Sequence, residues 1–338
     1  MTASTSASGP STAGTATAVL FASRSGGSRQ LAGTGTLLRF ALRRDRVMVP
    51  VWVTVTGLMV LSMPNSLNSL YGTAAERADL MRQMTTNPSL RALVGPAFDD
   101  SLGALTAWRV GAYAGLLAAV MSLLVVIRHT RDEEESGRQE LVASGTVGRR
   151  APLTAALLAA AVANGGLALL VTLGLAGQGA MGAAAFGLGI AGVGMVFATM
   201  AAVVAQLTES ARLARGLAAG VLGAAFVLRA AGDASENEGS SFLTWVSPLG
   251  WLENERSFAD ERWWVLLLFV AAPGECVRQR ALDRRRRHEQ QQHPPPLIRE
   301  RTLVLQPPQR RHPRQERRTL VLGSVAGRPQ YERRAQHP

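Results

Sequence analysis

Lysine is missing from this chain: all 36 basic residues are arginine. A conventional phosphate-binding P-loop needs a lysine to reach the terminal phosphates of a nucleotide, so the chain carries no such loop of its own. Cysteine is almost missing too. The single Cys276 has no partner for an internal disulfide and cannot build a thiolate zinc site. Aromatic residues make up 5% of the chain although 47% of it is hydrophobic. The apolar content is therefore Ala, Val, Leu and Gly in long runs, which suits helices packed in lipid, where small residues let backbones approach closely. Those runs contain no Asp, Glu or His; Arg109, Asn164, Thr199 and Gln206 are among the polar residues they offer. Membrane-embedded enzymes and proton-coupled carriers work through carboxylates or histidines inside the bilayer, and their absence from the runs argues against both.

Charge is present but unevenly spread. The formal net charge is +12, and sixteen arginines against six acidic residues follow Gly274. The basic balance thus belongs to the end of the chain, and it is no argument that the main body binds nucleic acid. Over 338 residues there is room for about six spanning helices at ~20 apolar residues each.

Residues 1–33 are rich in Ser, Thr, Ala and Gly without the basic start and apolar core of a signal peptide, and are expected to form a disordered leader. Over 34–46, Leu37, Leu38, Phe40 and Leu42 interleave with Arg39, Arg43, Arg44 and Arg46. That pattern predicts a short amphipathic helix in the headgroup plane, or else the plain positive flank of a first span. Spans are expected at about 47–63, stopping at Pro64, and at 105–127, 153–175, 181–207 and 212–229. Trp108 and Tyr113 fall where interface aromatics fall, and Arg109 is placed to snorkel there or to line a pore. The fifth span carries Gly216 and Gly220 in a GxxxG helix-packing pattern. A sixth apolar run, 263–272, has ten residues; at ~1.5 Å each they fall short of ~30 Å of hydrocarbon.

Arginines cluster at 39–46, 128–150 and 212–215, whereas Asp99, Asp100, Asp233, Glu236 and Glu238 lie in the alternate connections. The positive-inside rule places the first group, and with it the N-terminus, in the cytoplasm. Residues 273–338 change composition to Arg, Pro and Gln, with Arg-Thr-Leu-Val-Leu at both Arg301 and Arg318. Three readings are open: a basic arm touching anionic lipid or RNA, a solvated tail without a partner, or a GC-rich gene read out of frame. The break inside an unfinished span favours the third, since a half-length helix leaves backbone groups unsatisfied in lipid.

The cytoplasmic segment 128–150 carries the most information. Asp132 to Glu135 would occupy the first turns of a short helix, where acids complement the dipole. Arg138 is spaced to pair with Glu134 and Glu135. A charged helix of this kind is either a docking surface for a soluble partner or a solvated loop that fixes topology.

The run RHTRDEEESGRQELVASGTVGR resembles the corresponding segment of actinobacterial ABC-2-type permeases that export polyketide antibiotics. In that family RHTR-x-EE-x-x-GR-x-EL follows the second span, and it is matched here at Arg128, His129, Thr130, Arg131, Glu133, Glu134, Gly137, Arg138, Glu140 and Leu141. Ser247-Pro-Leu-Gly-Trp251, followed by Glu261-Arg-Trp-Trp264, is similar to the family's approach to its sixth span. The resemblance covers about Leu37 to Ala272. It implies an all-α membrane bundle of five complete spans and a partial sixth, which moves an antibiotic-like small molecule across the bacterial plasma membrane. ATP would be bound by a separate P-loop ATPase subunit, contacted through Arg131, Glu133, Glu134, Glu135, Arg138 and Glu140. Family members are usually longer, with two six-span halves, so the resemblance also implies a second permease half or a second copy as partner.

Overall fold

A computed structural model describes residues 30–135, 148, 150–235 and 241–274. Every regular element among them is helical. In chain order they are α1 (Thr34–Arg44), α2 (Met48–Leu70), α3 (Ala74–Thr85), α4 (Pro88–Val94), α5 (Leu102–Arg128), α6 (Arg131–Glu135) and α7 (Ala151–Leu175). A short 3-10 turn (Ala176–Gln178) leads to α8 (Ala180–Leu207), α9 (Ala211–Ser235), α10 (Phe242–Val246) and α11 (Pro248–Asn254). A last apolar helix, α12, covers Val265–Gly274. Five helices, α2, α5, α7, α8 and α9, are long and apolar enough to cross a membrane. This is an all-α multi-pass membrane protein. The expected leader before residue 30, Arg138 and Glu140, and the tail from 275 onward lie outside the described residues.

Local chemistry explains most helix ends. Thr73 and Glu76 form a reciprocal capping box at the start of α3, and the bonds from Thr73 hold the Glu76 carboxyl below its usual range. The Asn87 side chain accepts from the backbone N–H groups of Ser89 and Leu90 (3.0 and 3.2 Å) to start α4, with Pro88 in the first turn. Ser101 caps α5 through Ala104 N–H. Pro64 does not end the first span: α2 runs through it to Leu70. The polar stretch beyond, expected as a plain connection, holds α3 and α4.

Helices α5 and α8 form the centre, with α7 beside them and α2 and α9 mostly exposed at the periphery. In lipid the drive for this arrangement is close packing and interhelical hydrogen bonds, and α8 is built for both. Four of its five glycines form two pairs, the members of each seven residues apart, and the fifth, Gly192, meets Phe269 of α12. Gly187 and Gly194 meet α7 at Thr172, Ala168 and Asn164. Gly182 and Gly189 meet the segment after α9 at Phe258, Leu252 and Glu255. At ~100° per residue the two pairs lie about 140° apart around the helix and Gly192 falls on a third side, so α8 is pressed on three faces. Asn164 in α7 donates to Ser122 Oγ of α5 and to its own Ala160 carbonyl, both at 2.8 Å.

A Cβ on Gly187 would stand 2.7 Å from the Ala168 carbonyl oxygen. Backbone cannot rotate out of the way, so Gly187→Ala must push α7 and α8 apart. The expected loss is about 1–3 kcal/mol, read as a lowered midpoint in thermal unfolding of the detergent-solubilised protein. Gly216→Ala is the matched control, because nothing lies within 4 Å of a Cβ there.

Candidate functional site

Two polar clusters sit at opposite ends of the bundle. The first is a collar of charge around α6, at the end where α1 lies. His129, just past α5, is 4% exposed and sits between two carboxylates: its Nε2 is 2.5 Å from Asp45 Oδ2 and its Nδ1 3.3 Å from Glu133 Oε1. Both partners only accept, so the ring satisfies the two of them only as an imidazolium. Asp45 follows α1 and also takes Arg128 Nη1 at 3.1 Å. Arg44, at the end of α1, reaches Glu133 Oε1 at 3.0 Å.

The other charged residues of α6 face the remaining helices. Arg131 donates through Nε to the Ala205 carbonyl near the end of α8, and pairs through Nη1 with Glu134. Asp132 accepts from Arg215 Nη2 of α9 at 2.6 Å. Glu135 accepts from the backbone N–H of Ala211 at the start of α9, satisfying one of the donors that any helix start leaves open. A helix of five residues is thereby fastened to α1, α8 and α9 at once.

Of the residues expected to meet a partner, Arg131, Glu133, Glu134 and Glu135 are thus brought together in one collar. Glu133 is turned inward, while Glu134 and Glu135 are exposed. Arg138 and Glu140 lie outside the described residues. Near the collar, the N–H groups of Gly148 and Arg150 donate to the carbonyls of Ala32 and Gln30 (2.9 and 3.1 Å), which brings the far end of the charged segment back against the residues leading into α1. Gly216 and Gly220 on α9 meet nothing within 4 Å, so no packing partner for them lies among the described residues.

The second cluster was not foreseen. The acidic stretch from Asp233 to Arg262 reads in sequence as an outer connection, but α10 and α11 fold back into the bundle as a re-entrant wedge. Leu249 and Leu252 reach Gly115, midway along α5, and Leu252 and Glu255 reach Gly189 of α8. A fully buried Arg229 from α9 holds the wedge. Its Nη1 pairs with Glu253 of α11, its Nη2 donates to the carbonyls of Ala92 and Leu93 of α4 (2.8 and 3.0 Å), and its Nε lies 3.6 Å from Asp233 Oδ2. Arg91 Nε and Nη2 donate to the Asp233 carbonyl at 3.0 and 2.7 Å, closing the end of α9. Trp108, near the start of α5, is half-buried, and its Nε1 donates to the Gly95 carbonyl at 2.8 Å.

Ionisable groups therefore do enter the bundle, Glu253 and Glu255 on the wedge and Arg229 and Asp233 from the last turns of α9. The signal that could have found them is the alternation of Gly182 and Gly189 on one face of α8, which calls for an occupant that the five spans do not supply. No group of three or more His, Cys, Asp or Glu able to hold a metal occurs among the described residues.

A bundle of apolar spans with a short charged helix fastened to three of its helices defines a multi-pass membrane protein. No family model matches the chain. It is 47% identical over 248 residues to the multidrug efflux system permease protein Rv1217c of Mycobacterium tuberculosis, an alignment that takes in 71% of this chain and 43% of that protein. The chain belongs to the ABC transporter permease family. It spans less than half the length of the curated relative it matches.

Proposed function

We propose that the chain is a membrane-spanning permease subunit of an ABC-type exporter that moves a hydrophobic, antibiotic-like small molecule out of the cell. A separate P-loop ATPase subunit binds the ATP, and this chain binds no cofactor. The observation that carries the reading is the collar. A partner that pulls on α6 displaces α1, α8 and α9 together, because Glu133 fastens it to α1, Arg131 to α8, and Asp132 and Glu135 to α9. The α1 end then faces the cytoplasm, in line with its arginines. The name of the relative, a multidrug efflux permease, supports a cargo of this class.

A lone set of five spans and a short sixth helix needs a partner to enclose a path. The outer face of α9, with Gly216, Gly220 and Gly223 uncovered and Leu213, Leu217 and Val227 exposed, fits close contact with another apolar helix. That helix would come from a second permease half or a second copy.

The test is co-purification. Solubilised from its native membrane through a tag on this chain, the protein is expected to retain a subunit identified by mass spectrometry as a P-loop ATPase. Arg138→Glu combined with Glu140→Arg is expected to release it at least tenfold. Retention of only non-nucleotide-binding proteins would overturn the reading.

A further inference from the structure

Glu255 stands apart from the two polar clusters. It follows α11, is 0% exposed, and neither of its carboxylate oxygens has a hydrogen-bond partner among the described residues. Its side chain lies against Gly189, where an added Cβ would collide with the carboxylate. Gly189 is nine residues into α8, about 13 Å below its start at ~1.5 Å per residue. Leu252 shares the same glycine socket.

The neighbouring charges do not help it. Helix α8 has no ionisable residue, nor has α12. On this half of α5 the ionisable residues are Arg109, which is exposed, and Tyr113. Within the wedge, Glu253 is taken by Arg229, and the Arg256 guanidinium lies over the Phe98 ring at 4.4 Å. Arg262 reaches Glu255 through its backbone N–H, which donates to the Glu255 carbonyl at 2.8 Å. Asp260 lies farther along the same loop, and Glu261 acts on the carboxylate as a like charge. An ionised carboxylate with no donor and no cation is prohibitively costly in such a place, whereas the neutral acid is not.

From this placement we infer that Glu255 is a proton-binding site, occupied while the wedge is seated on α8 and emptied when the seam between them opens to water. The ligand is a proton taken from and returned to the compartment that the wedge faces, which is the outside if the exporter reading holds. The seated carboxyl is pushed up to about 9 by burial and by Glu261; open to water it would titrate at about 4.3. Between these values the seated state holds one more proton than the open state. Acid therefore keeps the wedge shut, and each pH unit of rise favours opening by up to about tenfold.

The wedge is also strained in a way that suits a movable part. Arg256 and Phe258 have φ of 53° and 64°, a region that non-glycine residues seldom occupy. The Phe258 ring fills a socket floored by Gly103 of α5 and Gly182 of α8. These contacts are made by side chains entering glycine pockets, so they can part without breaking backbone hydrogen bonds.

Two measurements on the full chain in lipid vesicles test the site, and neither needs nucleotide or a partner subunit, so the result stands whether or not the exporter reading does. The first is infrared difference spectroscopy on the unmodified protein. A carbonyl band of a protonated carboxylic acid is expected at neutral pH and is expected to vanish in Glu255→Gln; the same band in both would overturn the proposal. The second places a cysteine at Ser257, 6% exposed, in a Cys276→Ser background and follows labelling by a membrane-impermeant maleimide. The labelling rate with Glu255 intact, divided by that in Glu255→Gln, removes the intrinsic pH dependence of the thiol. It is expected to rise about tenfold per unit between roughly pH 6 and pH 8. A ratio flat across that range would overturn the proposal. If Glu255→Gln fails to fold, Gly189→Ala supplies the comparison, since it crowds the carboxyl out of its socket and should abolish the infrared band.

Discussion

Replacing Arg229 by methionine is expected to destabilise the protein by about 3–5 kcal/mol, the size of effect that follows when one member of a buried ion pair is removed. Arg229 is fully buried and holds two carboxylates, Asp233 and Glu253, together with the carbonyls of Ala92 and Leu93. Methionine fills much of the space and supplies none of the donors. The loss should come chiefly from the stranded acids, because a replacement that neutralises the whole set is often nearly neutral. Adding Glu253→Gln to Arg229→Met is therefore expected to recover a large part of it. Thermal unfolding in detergent, followed by the monodisperse fraction on size exclusion, reads both changes. A single variant within about 1 kcal/mol of the parent would mean that the knot is not what seats the wedge.

The second large effect is expected at the opposite end and in a different quantity. Asp132 and Arg215 are both partly exposed, with side chains 26% and 49% accessible. Exposed pairs contribute about 0–1 kcal/mol to stability, so Asp132→Arg should leave the unfolding midpoint nearly unchanged. The same pair is the link between α6 and the side of α9, and reversing one charge replaces an attraction by a repulsion. On the exporter reading proposed above, ATP-driven transport is expected to fall at least tenfold. Adding Arg215→Asp should restore most of it, since the swapped pair re-forms the link with opposite polarity. Equal loss in the single and double variants would show that the charges act on something other than each other.

The contrast between the two clusters tells what a sequence of this kind makes legible. Long apolar runs announce their own helices, because a stretch such as 180–207 offers no other way to satisfy its backbone in lipid. Ends are less legible. Pro64 reads as a stop, yet α2 continues through it, because a proline interrupts only the hydrogen bond that its own nitrogen would have made and clashes with a single preceding turn. In the charged segment the direction of the side chains was not legible. Spacing along 131–135 shows which residues share a turn; it does not show that Arg44, Arg215 and Ala211, far away in the chain, arrive from other helices to meet them.

The wedge was the least legible part. Helices of five and seven residues are too short for a periodic signal, and their polar content reads as water-facing loop. Glu253 and Glu255 are tolerable inside the bundle for two different reasons, a buried arginine partner in one case and a glycine socket without any partner in the other. Neither reason is visible until the chain is folded. The exclusion of proton-binding chemistry drawn from the spans alone therefore does not extend to the segment that folds back between them.

The most direct measurement is a photo-crosslinker placed at Glu134, the exposed member of the pair with Arg131, in the protein within its native membrane. If α6 is where a nucleotide-driven subunit takes hold of the bundle, irradiation yields an adduct with a P-loop ATPase, and a crosslinker at Leu173, exposed on α7 toward its other end, yields none. Adducts from position 134 with lipid or with this chain alone, in a membrane where that ATPase is present, would contradict it.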